Sequence, residues 1–266
     1  MRIEYTSANI ECALRAAPAV IVAAHPDDEA IGLGARLGEM QGLAAIIHMT
    51  DGAPRSGGDV RNAGCGRWQE YAKLRRREFE RALEVSGAHT RRGVCLWCAD
   101  QEATIRIPEL VKALARILES LRPPVVFTHP YEGGHPDHDT TAAAVYAAKR
   151  ISGLDFSIFE YASYHASPIG MASECFLKNS AEEVWDQPLT AEQRERKRKI
   201  FECYGSQRHV LRQFPLLREP VRVAPEYDFA RPPHEGDLFY EQFEWGMTGN
   251  RWRALVRAAF RDLGIQ

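Results

Sequence analysis

Short, uninterrupted apolar runs alternate with helical stretches over the first 162 residues of this chain of 266 residues. The apolar runs predict strands at residues 19–24, 44–49, 94–97, 125–129 and 157–162. The stretches between them predict helices at residues 30–41, 67–86, 108–121 and 139–151. Continuous apolar strands separated by helices are typical of a parallel sheet covered by helices on both faces. The sequence therefore predicts an α/β fold with a mostly parallel sheet, in which a site lies at the carboxyl ends of the strands.

The alternation weakens after residue 162. A helix is predicted at residues 190–205, where the basic run RERKRK is interpreted as a solvated face, and an amphipathic helix is predicted at residues 250–263. Between them, prolines at positions 215, 220, 225, 232 and 233 predict an extended wall or loop. No linker divides the chain, so we expect one domain over residues 1–266, in which residues 163–266 extend the core and complete a substrate pocket.

Charge and hydropathy argue against several classes of partner. A net charge of -2 gives no basic surface for nucleic acid or for an anionic membrane. The first residues lack the apolar segment of a signal peptide, and no apolar run approaches the ~18 residues of a membrane span. We therefore expect a soluble, cytoplasmic protein without a nucleic-acid partner or a membrane span. Whether it forms a homo-oligomer is left open.

The 6 cysteines are scattered along the chain, as in proteins of a reducing compartment. Cys95 and Cys98 match the CxxC pattern, but they lie in a predicted strand, where residues three apart point to opposite faces. A thioredoxin-type pair needs a helix N-terminus to lower the pKa of its thiol. This pair is therefore not interpreted as a redox site.

Two of the predicted strands end in turns rich in histidine and aspartate. The first strand is followed by HPDDE, which begins at His25, and the fourth by HPDH, which begins at His135. Either motif alone also fits a turn with an Asp helix cap and a Pro at the first helical position. Because the carboxyl ends of parallel strands share one edge, we expect the two turns to meet. Two imidazoles and a carboxylate would then bind a divalent cation, as in catalytic zinc sites with three protein ligands and one open position.

The sequence AHPDDE, followed at residues 135–138 by HPDH, resembles the LmbE-like (PIG-L) family of zinc-dependent N-deacetylases. The resemblance covers both motifs, their spacing and the Rossmann-like alternation through about residue 162. It implies a Rossmann-like hydrolase that removes an N-acetyl or other N-acyl group. Its substrate would be a small amino sugar, such as an N-acetylglucosamine derivative, or a glycoconjugate.

The resemblance implies that His25, Asp28 and His138 bind zinc, with iron(II) left open as the metal in the cell. It also implies that Asp27, beside the metal but not bound to it, is the general base. Zinc lowers the pKa of bound water toward ~7, and a nearby carboxylate can take the proton as the water attacks an amide carbonyl. Glu29 is interpreted as a supporting charge behind the metal ligands or in the first turn of a helix.

By the same resemblance, His135 would stabilise the oxyanion and protonate the leaving amine, with Asp137 orienting its ring. A developing oxyanion needs a second positive group beside the metal. A histidine paired with a carboxylate has a raised pKa. We therefore expect His135 to be protonated.

Residues further from the metal are expected to bind the sugar. An Arg-x-x-Glu pattern of the family matches Arg75 to Glu78, and its Asp after the third strand matches Asp100. The resemblance implies that Arg75 and Asp100 contact sugar hydroxyls, although Arg75 also fits a solvated helix charge. Some relatives carry a tyrosine two residues before the HPDH histidine. Here Gly133 occupies that position, and Tyr131 is the candidate substitute.

Loop residues supply weaker candidates. Asp51 follows the second strand in a glycine-rich segment, residues 50–59, which we expect to be a mobile loop over the site. His129 ends the fourth strand and is interpreted as a buried, hydrogen-bonded imidazole. His234 is a candidate to reach the site from the proline-rich wall. Residues 50–66 and the stretch after Phe214 are expected to line the pocket.

Three alternatives fit the sequence less well. The glycines of GLGARLG, residues 32–38, miss the dinucleotide-binding spacing, and the preceding carboxylates would repel a pyrophosphate. Two histidines and an aspartate also resemble the facial triad of iron oxygenases, but those enzymes use antiparallel β-helices. A non-catalytic metal- or carbohydrate-binding protein is the third alternative. A structural zinc site normally has four protein ligands and no spare base, so Asp27 argues against it.

Overall fold

The computed structural model describes residues 9–55, 58–90, 92–177 and 183–265. Its strands are β1 (Ala19–Ala23), β2 (Leu43–Pro54), β3 (Gly93–Asp100), β4 (Val125–Thr128), β5 (Ser157–Tyr161), β6 (Tyr164–Ser167), β7 (Gly170–Ser173), β8 (Val184–Trp185) and β9 (Val221–Val223). Its helices are α1 (Ile10–Ala16), α2 (Asp28–Leu33), α3 (Gly58–Asn62), α4 (Trp68–Ser86), α5 (Ile107–Leu121), α6 (Pro136–Ser152), α7 (Ala191–Cys203), α8 (Arg208–Leu211) and α9 (Gly249–Asp262).

The main sheet has seven strands in the order β3-β2-β1-β4-β5-β9-β8. The five strands from β3 to β5 in this order are parallel, and Ile21 of β1 lies opposite Ile46 of β2 and Phe127 of β4. The last two strands, β9 and β8, add to the sheet in antiparallel orientation. The predicted α/β fold with a mostly parallel sheet is therefore confirmed.

Strand β1 shows how the sheet is covered on both faces. All of its residues, AVIVA, are buried, and successive side chains point to opposite faces. Val20 and Val22 belong to a core with helices α5, α6 and α9, whereas Ala19 and Ile21 belong to a core with α1, α4 and α7. Because both faces of β1 are covered, polar groups at its carboxyl end can meet solvent or ligands only at the edge of the sheet.

Several elements of the first 162 residues differ from the prediction, which did not include helices α1 and α3. The helix expected at residues 30–41 is only α2, followed by a 3₁₀ turn at Leu37–Glu39. Strand β2 continues to Pro54, because Thr50 and Pro54 pair with β3. Residues 50–54 are therefore strand and not the expected mobile loop, whereas residues 56 and 57 lie outside the described residues.

The C-terminal part contains elements that the sequence did not predict. The hairpin of β6 and β7 follows β5, and strands β8 and β9 extend the main sheet. The proline-rich stretch is mostly without regular structure, as expected, but it includes β9 and a 3₁₀ turn at Phe239–Gln242. The division of the chain at residue 162 stays a prediction. In the described ranges, no helix is long and apolar enough to cross a membrane.

Candidate metal centre and active site

The turns after β1 and β4 meet at the carboxyl edge of the sheet. The ring centroids of His25 and His138 lie 5.3 Å apart. Asp28 contacts both histidines: its Oδ2 is 3.1 Å from His25 Nδ1, and its Oδ1 is 3.1 Å from His138 Nε2. All three residues are buried. The structure thus brings together the three residues that the resemblance implies as metal ligands.

Possible ligand atoms within 4.8 Å of one another form three overlapping groups among the described residues. The groups are His25–His135–His138, His25–Asp100–His135–Asp137 and Asp28–His129–His138. The expected set of His25, Asp28 and His138 is therefore divided between two groups, with His138 common to both. The hydrogen bonds of each side chain indicate which atoms are available to a cation.

His138 and Asp28 have the protonation states that a divalent cation requires. The Nδ1 of His138 lies 3.2 Å from the hydroxyl of Ser163, so its Nε2 faces Asp28. Burial lowers the pKa of His138 to about 3, and the ring is neutral. Burial alone would raise the pKa of Asp28, but the surrounding imidazoles, His138 foremost, hold it well below its ordinary value. A neutral imidazole and an ionised carboxylate fit a zinc site.

His25 is surrounded by carboxylates. Its backbone N–H donates to Asp28 Oδ2 over 2.8 Å, and its Nε2 lies 3.1 Å from Asp100 and 3.2 Å from Asp137. Burial alone would lower the pKa of His25, but Asp100 and Asp28 outweigh burial and raise the pKa well above its ordinary value. His25 therefore carries a proton between these acids, which a cation bound at this imidazole would displace.

His129 is a buried structural imidazole, as interpreted from the sequence. Its Nε2 accepts a hydrogen bond from the backbone N–H of Ala24 over 3.1 Å and lies 3.2 Å from the hydroxyl of Tyr161. Its ring stacks on that of His138, with centroids 3.9 Å apart. Burial lowers its pKa. Because the lone pair of Nε2 is already engaged, His129 positions its neighbours and is not available to a cation through this atom.

Asp27 turns its carboxylate toward Arg75 of α4. The Nη2 of Arg75 is 3.2 Å from Asp27 Oδ1 and donates to the carbonyl of Pro26 over 2.6 Å, while Nη1 donates to the carbonyl of Gly52 over 3.2 Å. Arg75 is buried, so the alternative of a solvated helix charge is wrong. Burial raises the pKa of Asp27 to about 8 although Arg75 opposes the shift. Asp27 also has a φ of 139°, which is unfavourable for any residue other than glycine.

Glu29 holds the backbone of Asp27 in this conformation. Its Oε2 accepts the N–H of Asp27 over 3.3 Å and lies 2.9 Å from His48 Nε2, and its Oε1 accepts the hydroxyl of Tyr204. All four residues are buried. Glu29 therefore stabilises the backbone conformation that positions the Asp27 carboxylate, which agrees with its interpretation as a supporting charge.

His135 differs from its expected state. Its Nδ1 accepts the backbone N–H of Asp137 over 3.1 Å, and burial together with the charge of His25 lowers its pKa to about 3. The carboxylate of Asp137 instead accepts the N–H groups of Gln101 and Ala103, over 2.7 and 3.2 Å, and faces His25. The expectations of a protonated His135 and of a ring oriented by the Asp137 carboxylate are therefore wrong, because that carboxylate is used to anchor the end of β3.

Asp100 lies where the sequence placed it, at the carboxyl end of β3. Its Oδ1 is 3.1 Å from His25 Nε2 and 3.9 Å from His135 Nε2. Burial alone would raise its pKa, but His25 outweighs burial and keeps the pKa below its ordinary value. Its side chain is 14% exposed, more than those of the two histidines. Asp100 is therefore an ionised hydrogen-bond acceptor on the most solvent-exposed side of the cluster, which we call its mouth.

Tyr131 does not take the place of the missing tyrosine. Its ring stacks on Trp252 of α9 with centroids 4.9 Å apart, and its hydroxyl donates to the carbonyl of Arg231 over 2.9 Å. Burial raises its pKa. The apolar ring of Tyr131 instead fills the core between α6 and α9. Among the described residues, no hydrogen bond, ion pair or ring contact joins Tyr131 to the histidines of the cluster.

The two glycines before His135 are required by close packing. A Cβ on Gly134 would lie 1.9 Å from the carbonyl oxygen of Tyr164, and a Cβ on Gly133 would lie 2.7 Å from Leu238. Gly133 also has a positive φ of 72°. The carboxylate of Asp139 accepts the N–H of Gly133 over 3.0 Å and so shapes the turn. A side chain at Gly133 is therefore excluded by the C-terminal part of the chain.

The two weakest candidates lie apart from the metal cluster. Asp51 forms an ion pair with Arg55 over 2.9 Å and accepts the N–H of Ala53. Burial raises the pKa of Asp51. His234 hydrogen-bonds through Nδ1 with the carbonyl of Glu235, and within the described ranges no hydrogen bond or ion pair joins it to the cluster. These expectations are therefore not supported by the contacts.

Several neighbours of the cluster were missed by sequence analysis. Ser163 orients His138, Tyr164 packs its ring against His138 at 5.1 Å, and the ring of Trp245 lies 4.7 Å from that of His135. Tyr204 reaches Glu29 from the end of α7. All four lie beyond residue 162, where no strand-and-turn pattern points to the edge of the sheet.

The sequence profile of the PIG-L family, described as GlcNAc-PI de-N-acetylase, matches residues 20–149. These residues form a PIG-L domain. The family resemblance seen in AHPDDE and HPDH is thereby confirmed over the part of the chain that carries both motifs. None of the curated proteins compared with this chain matches it.

Solved structures similar to this chain include deacetylases and a hydratase. The A40926 pseudoaglycone deacetylase Dbv21 has 17% identity, a TM-score of 0.60, and coverage of 80% of this chain and 99% of its own. N,N'-diacetylchitobiose deacetylase from Pyrococcus horikoshii has 20% identity, a TM-score of 0.54, and coverage of 84% and 94%. The 4-carboxy-2-hydroxymuconate hydratase GalB from Pseudomonas putida has 15% identity, a TM-score of 0.51, and coverage of 79% and 97%.

These likenesses establish the fold of the chain. Because a hydratase shares the architecture with deacetylases, the fold alone does not determine the reaction. The chemistry has to be argued from the side chains at the edge of the sheet.

Proposed function

We propose that the protein is a metal-dependent N-deacetylase that hydrolyses the N-acetyl or other N-acyl group of an amino sugar or glycoconjugate. The observation that carries the proposal is the position of Asp27, a buried carboxylate next in sequence to Asp28 that pairs with Arg75 and belongs to none of the groups of possible metal ligands among the described residues. Burying a spare carboxylate is unfavourable unless it is paired. A site that only bound a metal ion would not require this additional buried carboxylate.

His25, Asp28 and His138 are the residues that would hold the metal, which we propose to be zinc, with iron(II) as the alternative. A bound divalent cation would lower the pKa of a water molecule and polarise the amide carbonyl. His138 Nε2 and the Asp28 carboxylate are ready to bind, since the first is neutral and the second ionised. His25 would have to lose its proton to bind the metal, so the affinity for metal should fall at acidic pH.

Asp27 would take the proton of the attacking water. Its pKa, raised by burial toward neutral pH, suits a group that accepts a proton and then returns it. The Nη1 and Nη2 atoms of Arg75 contact Asp27 and the carbonyls of Pro26 and Gly52, so we assign Arg75 to the positioning of Asp27 before any contact with sugar hydroxyls. This departs from the role that the resemblance implies for Arg75.

His135 would act on the carbonyl oxygen as a neutral hydrogen-bond donor. Its Nδ1 accepts an N–H and is unprotonated, so the ring proton is on Nε2, which faces the mouth of the cluster near Asp100. A neutral donor of this kind can stabilise an oxyanion without carrying a charge. Protonation of the leaving amine would then come from the proton that Asp27 has received. Asp100, ionised and partly exposed, is the proposed acceptor for a sugar hydroxyl.

The test is release of free amine from N-acetylglucosamine derivatives, nucleotide sugars and acylated glycoconjugates. Chelation should abolish the release, and zinc or iron(II) should restore it. Asp27→Asn should lower kcat by roughly 10²–10⁴-fold while bound metal stays stoichiometric. Asp28→Asn should lose the metal as well as activity.

Activity that survives chelation, or survives Asp27→Asn, would rule out this mechanism. Metal binding without amine release from any substrate would favour the non-catalytic binding protein. Oxygen uptake with iron and 2-oxoglutarate would favour the oxygenase, although the parallel sheet already argues against it.

A further inference from the structure

Six rings form a closed series of contacts around the turn from His135 to His138. The centroid distances are 5.1 Å for His138–Tyr164, 5.6 Å for Tyr164–Phe239, 5.5 Å for Phe239–Phe243, 4.5 Å for Phe243–Trp245, 4.7 Å for Trp245–His135 and 5.2 Å for His135–His138. We call the four carbon-rich rings of this series, Tyr164, Phe239, Phe243 and Trp245, the aromatic wall. None of its members belongs to the region matched by the family profile.

The aromatic wall presents apolar surface to solvent beside the metal cluster. Phe243 is 39% exposed, and the other three members are partly exposed. Side chains of this size fill the core elsewhere in the molecule, where Phe127, Phe159 and Tyr161 are fully buried. A contiguous, partly exposed aromatic surface next to a polar cluster is typical of a binding site.

The aromatic wall is fixed to the turn that leads from Gly133 into His135. The backbone N–H of Phe239 donates to the carbonyl of Gly133 over 2.9 Å, and Leu238 fills the space that the missing Gly133 side chain leaves. Glu241 accepts the N–H groups of Leu238 and Gly249, over 2.9 and 2.7 Å, and ties the segment to the start of α9. The rings are therefore held in place before a ligand binds, which limits the entropy lost on binding.

The mouth of the cluster has two chemically different sides. Asp100, an ionised and partly exposed carboxylate, forms a polar side, which suits the hydroxyls of a sugar. Trp245 and Phe243 form an apolar side that touches His135. We infer that the aromatic wall binds an apolar group carried by the amino-sugar substrate, so that the preferred substrate is an amphiphilic glycoconjugate and not a free N-acetylated sugar.

This inference rests on the proposed deacetylase function and specifies its substrate class. An apolar group can be attached to an amino sugar at the anomeric carbon, as an aryl or alkyl aglycone, or at the nitrogen, as a long acyl chain. Both would place the same chemistry against the aromatic wall. The experiment therefore needs one arm for each attachment.

Binding is measured first, because it does not require the reaction. The amines 4-nitrophenyl β-D-glucosaminide and methyl β-D-glucosaminide are titrated into the protein by calorimetry, and N-acetyl and N-octanoyl glucosamine are compared as competitors. We expect a preference of about tenfold or more for the apolar partner in one arm, a range typical of an added apolar contact. Trp245→Ala and Phe243→Ala should bring that preference ratio toward one.

Trp185→Ala is the matched control, because Trp185 is a partly exposed tryptophan on β8, at the far edge of the sheet from β3. It should leave the preference ratio unchanged. No preference in either arm for the unmodified protein, or a preference that both wall variants retain, overturns the inference. If the apolar preference is present but no amine is released from any N-acyl sugar, the deacetylase proposal fails while the apolar binding site stands.

Discussion

Arg75 Nη2 lies 3.2 Å from Asp27 Oδ1, and both side chains are buried. The pair joins α4 to the turn after β1, and the same guanidinium also binds the backbone of Pro26 and Gly52. The Arg75 guanidinium thus fixes the turn and partly offsets the free-energy cost of burying the carboxylate of Asp27, the proposed base. Breaking such a pair leaves an uncompensated charge and is strongly unfavourable.

Arg75→Met should move the acidic limb of the pH–rate profile to higher pH. Arg75 favours the ionised form of Asp27, so its removal raises the pKa of that carboxyl further, and the base is protonated over a wider range. The pH dependence of kcat/KM measures this change. Arg76→Met is the control, because Arg76 binds Glu80 and the carbonyl of Gly93 and does not touch Asp27. An unchanged limb in Arg75→Met would exclude Arg75 as the positioning residue.

Glu29→Gln should lower kcat by about tenfold or more with little change in metal content. An amide cannot accept from Asp27 and Tyr204 and at the same time satisfy His48 as the carboxylate does, so the φ of Asp27 should relax and displace the base.

Glu219→Gln separates this effect from general instability. Glu219 is also buried, accepts the N–H of Ala35 and pairs with Lys197, but it lies away from Asp27. Both variants should lose about 1–3 kcal/mol in urea unfolding. Equal losses of kcat in Glu29→Gln and Glu219→Gln would show that Glu29 affects only the stability of the fold.

The polar turns could be recognised from the sequence because their chemistry is local. HPDDE and HPDH each follow a run of apolar residues, and parallel topology brings the ends of such runs to one edge. That the two turns meet follows from these two facts, whereas the choice of His25, Asp28 and His138 within them came from the family resemblance. Asp100, which the structure places at the end of β3, was likewise predicted from the family resemblance.

The side-chain partners could not be predicted, because they depend on packing between distant segments. Asp137 was expected to bind its neighbour His135, but its carboxylate caps the end of β3. Tyr131 was predicted to lie at the site because it is near His135 in the sequence, but its ring packs on Trp252 instead. The sequence pattern records burial and turns. It does not record which of two nearby acceptors an imidazole meets.

The contribution of Glu160 and Glu132 to stability should fall as the pH rises from about 5 to 8. Burial outweighs the charge of Arg222 and raises the pKa of Glu160 to about 8 and that of Glu132 to about 7. The folded state therefore holds protons that the unfolded state has already released above its ordinary carboxyl pKa, so folding is favoured at the acidic end of this window. Glu160→Gln removes one such group and should flatten the dependence by about 3–4 kcal/mol between pH 5 and 8, given about 1.4 kcal/mol for each unit by which the pKa is raised.

Urea unfolding of the parent protein and Glu160→Gln at both ends of the window measures the difference. Glu202→Gln is the control, because Glu202 is exposed and pairs with Arg198 on the surface of α7. Parallel stability curves for the parent protein and Glu160→Gln would show that Glu160 is ionised in the folded state throughout.

Gly134→Ala should destabilise the fold by several kcal/mol and reduce activity. The new Cβ would lie 1.9 Å from the carbonyl oxygen of Tyr164, and neither backbone can move without shifting His135 or the β6–β7 hairpin. Gly58→Ala is the matched control, because a Cβ there has no neighbour within 4 Å and Gly58 begins helix α3. Thermal unfolding should separate the two variants. A Gly134→Ala protein as stable as Gly58→Ala would show that the turn and the hairpin are not packed as described, and the aromatic wall would lose the anchor that places it beside His135.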